Sequence, residues 1–239
     1  MNRRRSTLAL ALCISIVGVC AFGASNSSAI WVHECIKGEG IGTGTVYEAG
    51  CKKAKVLGGW ETVPITSVKP AVTKWTAPWW LRWLIGGVKV KVECKSLTGE
   101  GNTENVEVGG VHKVLGSEIK LALTECAVTE PAEKGCKAEP ISTSVLKSET
   151  SGLKSIYSPV SGSKIGAVTI SGCSISALNG SKEITGNVIG INEEATPETT
   201  EVTEATKSEL KIGGVAATIF GSFHIATKAS GAVLTLELP

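Results

Sequence analysis

The chain is predicted to be all-β: an antiparallel sandwich or barrel-like domain with three disulfides. Three observations predict it. Apolar residues alternate with polar ones over several short runs, the period of a half-buried strand rather than of a helix. Gly-Gly pairs at 58–59, 86–87, 109–110 and 213–214 punctuate those runs, as tight turns or strand starts do. Six cysteines follow an N-terminal export signal, and many short strands with Gly-rich turns suit a stapled β fold.

The N-terminus comes first. Arg3, Arg4 and Arg5 precede an apolar run from Leu8 to Val19, and small residues follow from Ala21 to Ala29. That is the layout of a secretory signal peptide. Cleavage fits after Gly23 or after Ala29; the second leaves a domain of residues 30–239. The run is short for a membrane span of about 20 residues. Cys20 would suit a lipoprotein, but Val19 stands where that signal takes a small residue. Export places the chain outside the cytoplasm, where disulfides persist.

Removing the signal leaves 21 basic residues against 22 acidic ones, and Arg82 as the single arginine. A near-neutral chain lacking guanidinium forks has no electrostatic case for nucleic acid. No aspartate occurs anywhere, which excludes EF-hand loops, aspartic dyads and a Ser-His-Asp triad within this chain.

Next come the strands. In Val88-Lys89-Val90-Lys91-Val92-Glu93-Cys94 the valines face one side and the charges the other. Ile119, Leu121 and Leu123 repeat the pattern, as do Leu234, Leu236 and Leu238. Gly-Gly-Val recurs at 86–88, 109–111 and 213–215 with different following spacing, which reads as shared turn chemistry rather than a structural repeat. The glycines of 38–44 precede a strand, and no Lys-Ser/Thr follows them, so they are a lead-in rather than a phosphate loop. Residues 192–207 hold Glu193, Glu194, Glu198, Glu201 and Glu204 among threonines; they are expected to form a solvated acidic loop, the sharper alternative being a cation-contacting rim.

The segment from Trp75 to Trp83 is the one unusual surface candidate. Trp79, Trp80 and Trp83 surround Arg82. Indoles stack on sugars and settle at membrane interfaces, and Arg82 beside Trp79 and Trp83 could make a cation–π contact. The alternative is that the rings plug the core, a short helix putting Trp79 and Trp83 on one face. His33, His112 and His224 lack metal-ligand spacing, and no Gly-x-Ser-x-Gly elbow exists. Paired glutamates for glycoside hydrolysis would meet only in space.

Cys13 and Cys20 leave with the signal; Cys35, Cys51, Cys94, Cys126, Cys136 and Cys173 remain. Local closure favours Cys126 with Cys136, across a loop holding Pro131 and Gly135, and Cys35 with Cys51. Cys94 is then left for Cys173. The segments Thr124-Glu125-Cys126, Gly135-Cys136-Lys137, Ile141-Ser142-Thr143, Val168 to Cys173 and Ile184 to Gly190, with Gly42 to Glu48 and Cys51 upstream, follow an order that resembles an uncharacterised family of secreted, cysteine-containing, β-rich actinobacterial proteins. The resemblance covers about Cys35 to Gly190. It implies a scaffold and no catalytic residues, and the tryptophan-rich segment departs from it. Loop lengths and this resemblance together give the expected scheme Cys35–Cys51, Cys94–Cys173 and Cys126–Cys136.

The expected function is that of a secreted, non-enzymatic structural or binding protein of the cell envelope or exterior, without cofactor or metal. Its partner would be a glycan or a membrane surface met through Trp79, Trp80, Arg82 and Trp83. The competing expectation is a secreted glycan-active hydrolase using glutamates.

Overall fold

The computed structural model describes residues 31–37, 51, 59–75, 78–192, 199–202, 209–232 and 234–237. The expected signal peptide, the 38–44 glycines and most of the acidic loop lie outside them. The fold is all-β, built on a curled antiparallel sheet. Its strands are β1 (Trp31–Lys37), β2 (Trp60–Pro64), β3 (Lys69–Trp75), β4 (Trp79–Ile85), β5 (Val88–Val108) and β6 (Val111–Glu130). Then follow β7 (Lys137–Ala138), β8 (Ile141–Ser142), β9 (Leu146–Ser151), β10 (Lys154–Pro159), β11 (Lys164–Ser171) and β12 (Gly180–Thr185). The last are β13 (Val188–Asn192), β14 (Thr199–Val202), β15 (Lys211–Ile212), β16 (Val215–His224), β17 (Ala226–Thr227) and β18 (Leu234–Glu237). The helical positions among the described residues are 3-10 only: Cys51 and the turn Ser176–Leu178.

The long β5–β6 hairpin is the spine. Gly109 and Gly110 turn it with φ of +62° and +78°, the two positive values a type I′ turn requires. The alternation read in β5 is realised: Val90, Val92, Cys94 and Leu97 are buried, while Lys89 is exposed. From β6 the ladder runs through β9, β10, β13 and β14 to β16. β4 pairs with both β16 and β5, so the ladder comes back to where it began. That return leaves the central strands without free edges. The core gathers inside the curl, with Leu81, Leu97, Val92, Val168, Ile170 and Leu178 among its fully buried side chains. β14 corrects the expectation of one acidic loop: Thr199–Val202 forms rungs to both β13 and β16, because threonine and valine suit a pleated strand.

A second sheet, β18–β1–β2, sits on the hairpin's far end through Val32, Ile65, Ala71, Val114 and Leu234. Asn105 of β5 pins it. Its Oδ1 accepts the Val32 N–H at 2.8 Å, and its Nδ2 donates to the carbonyls of Val32 at 2.9 Å and Ile65 at 3.0 Å.

All six expected cysteines are bonded, and the pairing corrects part of the scheme. Cys35–Cys51 forms as expected, but Cys94 bonds Cys126, and Cys136 bonds Cys173. The reason is register. β5 and β6 place Cys94 directly opposite Cys126, which leaves Cys136 near Cys173 at the β7–β11 pairing. Beside that bond the backbones of Gly135 and Gly172 approach so closely that a Cβ on Gly172 would overlap the Gly135 carbonyl.

Candidate functional site

The tryptophans lie on strands, not on a short helix: Trp75 ends β3, and Trp79, Trp80 and Trp83 belong to β4. Spacing of four puts Trp79 and Trp83 on one side in either structure, since four is an even step along a strand. The residues between decide the matter. Trp79, Leu81 and Trp83 turn inward at 4%, 2% and 3% exposure, whereas Trp80 and Arg82 are half-exposed and Leu84 is exposed. The expected ligand set is therefore split: Trp79 and Trp83 belong to the core, and Trp80 and Arg82 to the surface. The ring of Trp79 lies over Gly221, where a Cβ would overlap the indole, and 6.0 Å from Phe223. The indole N–H groups of Trp79 and Trp83 are buried with no acceptor among the described residues. Such orphaned donors cost about 1–3 kcal/mol each, which the buried aromatic area offsets.

On the outer face the side chains form two rows across β16, β4, β5 and β6. Phe220, Trp80, Glu93 and Ala127 stand in one; Thr218, Arg82, Lys91 and Glu130 in the next. Phe220 stacks on the Trp80 indole at 5.1 Å and 15°. The Arg82 guanidinium lies 4.7 Å over the same ring, and the Lys91 ammonium 5.8 Å from it. Arg82 therefore makes its cation–π contact with Trp80, not with Trp79 or Trp83, because β4 sends even- and odd-numbered residues to opposite faces. Glu130 stands 3.9 Å from Arg82, and Glu93 2.9 Å from Lys91. The indole is flanked by a ring on the β16 side and by cations, Lys91 reaching it from β5.

Phe220, Leu84 and Lys91 were not singled out from the sequence. Lys91 was readable from the alternation in β5. Phe220 was not, because its place beside Trp80 depends on a pairing between strands far apart in the chain.

Two other concave places lie elsewhere on the molecule. The apolar cavity beneath Trp79, lined also by Leu97, Tyr157 and Phe223, holds about 60 Å³, small beside the several hundred Å³ of ordinary ligand pockets. An open polar groove of about 380 Å³ has Glu100, Asn102, Glu118, Lys120 and Lys228 on its walls. There the hydrogen bond and charge of Lys228, 3.1 Å from Glu100, hold the Glu100 carboxyl below its ordinary range, with Lys120 adding in the same sense. Asn102 donates to Glu118 at 3.0 Å. Elsewhere burial holds the Lys182 ammonium below its usual range, although it donates to the carbonyls of Leu178 and Asn179 at 2.7 and 3.1 Å.

The three histidines do not converge. His112 packs its ring 4.7 Å from that of Trp31, His33 contacts the Trp31 carbonyl at 3.3 Å, and His224 ends β16. Among the described residues no group of three potential metal ligands is present, and no helix is long and apolar enough to cross a membrane. Of the acidic-rim residues, only Glu201 is described, within β14; the others lie outside. No protein-family model, curated protein or solved structure matches the chain.

Proposed function

We propose that this chain is a secreted, non-enzymatic binding protein of the cell envelope or exterior, and that its ligand meets the outer face of β16, β4 and β5. One observation carries the reading: the Phe220–Trp80 stack, held beside Arg82 and Lys91 on an outward face. Large rigid aromatics with charged donors at their edge supply contact area at low entropy cost, which is what a binding surface needs. Secretion is supported by the arginine-led apolar N-terminus and by three disulfides, which suit an oxidising compartment.

A glycan hydrolase is the competing reading, and Glu100 with Glu118 in the polar groove is its best carboxylate pair. A glycosidase acid needs a raised pKa, and Lys228 pushes Glu100 the other way. The test uses the mature protein with insoluble cell-wall polysaccharide and with lipid vesicles. The double variant Trp80→Ala, Phe220→Ala should lose retention on the preferred material while its melting temperature falls by only a few degrees. Polysaccharide turnover abolished by Glu100→Gln or Glu118→Gln would overturn the reading.

A further inference from the structure

The sequence carries Ile-Gly-Gly-Val twice, at 85–88 and 212–215. Both copies are hairpin tips, β4–β5 and β15–β16. Their glycines have nearly the same conformation, φ of +56° and +83° in the first and +58° and +82° in the second. The rung Ala217–Trp83 joins β16 to β4; β16 begins two residues before it, and β4 ends two residues after it. The two tips therefore leave the sheet side by side, at the same end.

Both tips carry exposed apolar side chains at the rim, although Ile212 itself is buried in the core. Leu84 is 50% exposed and Val215 41%, and Ile85 and Val88 are half-exposed. Stretches 84–89 and 211–216 contain Lys89 and Lys211 and no carboxylate; Glu183, whose backbone meets Gly213 from β12, is paired with Lys164 at 3.0 Å. Lys89 and Lys211 are exposed. Leu84, Lys89 and Lys211 continue the outward face of Trp80 and Arg82, since Lys89 pairs with Leu84, and Lys211 pairs with Ala216, which shares the parity of Thr218 and Phe220. Ile85, Val88 and Val215 line the other side of the same rim. The third Gly-Gly-Val tip, at 108–111, turns the other end of β5. It stands apart from the pair and follows Glu107.

We infer that the paired tips form one apolar, lysine-flanked pad that seats the protein on an anionic lipid surface. The inference rests on the outer face of β4 being the binding face, and names the partner of that face. The chemistry agrees on three counts. Apolar side chains at a hairpin tip enter the headgroup–acyl boundary. Lysines beside them are drawn to anionic headgroups. A half-exposed tryptophan set behind them on the outward face of β4 suits the interfacial zone that indoles favour.

Co-sedimentation of the mature protein with vesicles tests it. Vesicles of phosphatidylcholine with phosphatidylglycerol should retain the protein, vesicles of phosphatidylcholine alone should not, and salt should weaken retention. Leu84→Glu with Val215→Glu should lower partitioning by about tenfold or more, as should Lys89→Gln with Lys211→Gln. Val108→Glu at the far tip should leave it unchanged. All these side chains are exposed or half-exposed, and a melting curve confirms that each variant folds. Equal binding to neutral vesicles, or an equal loss with Val108→Glu, overturns the pad. So does a dimer in sedimentation velocity that Leu84→Glu dissolves, since a second copy would then be the occupant. If polysaccharide retention depends on Trp80 and Phe220 while no vesicle retains the protein, the binding function stands and the lipid assignment falls.

Discussion

The indole of Trp79 lies over Gly221 and beside Phe223; that of its neighbour Trp80 stands outside against Phe220. The same residue type at consecutive positions therefore has two different energetics. Removing Trp79 leaves a cavity inside the curl, and truncations of that kind cost about 3–5 kcal/mol. Removing Trp80 loses a half-exposed stack, worth about 0.5–1.5 kcal/mol beyond its area. Urea unfolding with the disulfides intact should show Trp79→Ala losing several times more stability than Trp80→Ala. Equal losses would place Trp80 in the core as well. The tryptophan cluster itself was legible in its density alone. Which members faced outward was not, until β4 was known to be a strand, because a helical reading also joins Trp79 to Trp83.

At the scale of the element, Asn105 shows how one side chain can attach a whole sheet. Its three hydrogen bonds reach the backbone of Val32 and Ile65, and Val32 is buried. Asn105→Leu would strand the Val32 N–H and the Ile65 carbonyl, whereas the Val32 carbonyl keeps its bond from the Ile65 N–H at 3.2 Å. The expected loss is about 2–4 kcal/mol, from orphaned groups costing about 1–3 kcal/mol each. It should be local: amide exchange should speed at Val32 and across β1 and β2, with little change in β10 or β11. Uniform acceleration everywhere would mean that the two sheets unfold as one unit. Nothing in the sequence marks Asn105, since an asparagine in a strand reads as an unfavourable residue until its partners are seen. The β5–β6 hairpin was more accessible. Gly109-Gly110 was read as a turn and Val88 to Cys94 as a strand. Folding the chain back at that turn brings Cys94 within one residue of Cys126, and the shift at Glu100/Asn102 supplies the difference. Loop length argued for the shorter closure and misled, because a hairpin brings distant residues together as readily as near ones.

For the whole molecule, the all-β class was legible from period-two runs and glycine pairs, and strand order was not. The ladder that comes back through β4 depends on β16 meeting a strand from the first half of the chain, and no local pattern announces such a pairing. The connectivity of the staples is checked by peptide mapping without reduction. Digests should yield Cys35 with Cys51, Cys94 with Cys126, and Cys136 with Cys173; a peptide joining Cys94 to Cys173 would overturn the register described. Cys94–Cys126 and Cys136–Cys173 each close a loop of more than thirty residues, worth about 3.5–4 kcal/mol apiece on the chain-entropy model. Replacing Cys94 and Cys126 together by alanine should therefore lower stability by up to about that amount.

The small sheet has a mechanical consequence. β1 and β18 run antiparallel, with Trp31 opposite Glu237 at the outer rung and Glu34 opposite Leu234 at the inner one. A force drawing residues 31 and 237 apart thus falls on one rung at a time, and the two strands unzip instead of shearing. Opening then passes to β2, where the Cys35–Cys51 bond takes the load covalently. The curled sheet behind it would feel tension only after that outer zipper had given way.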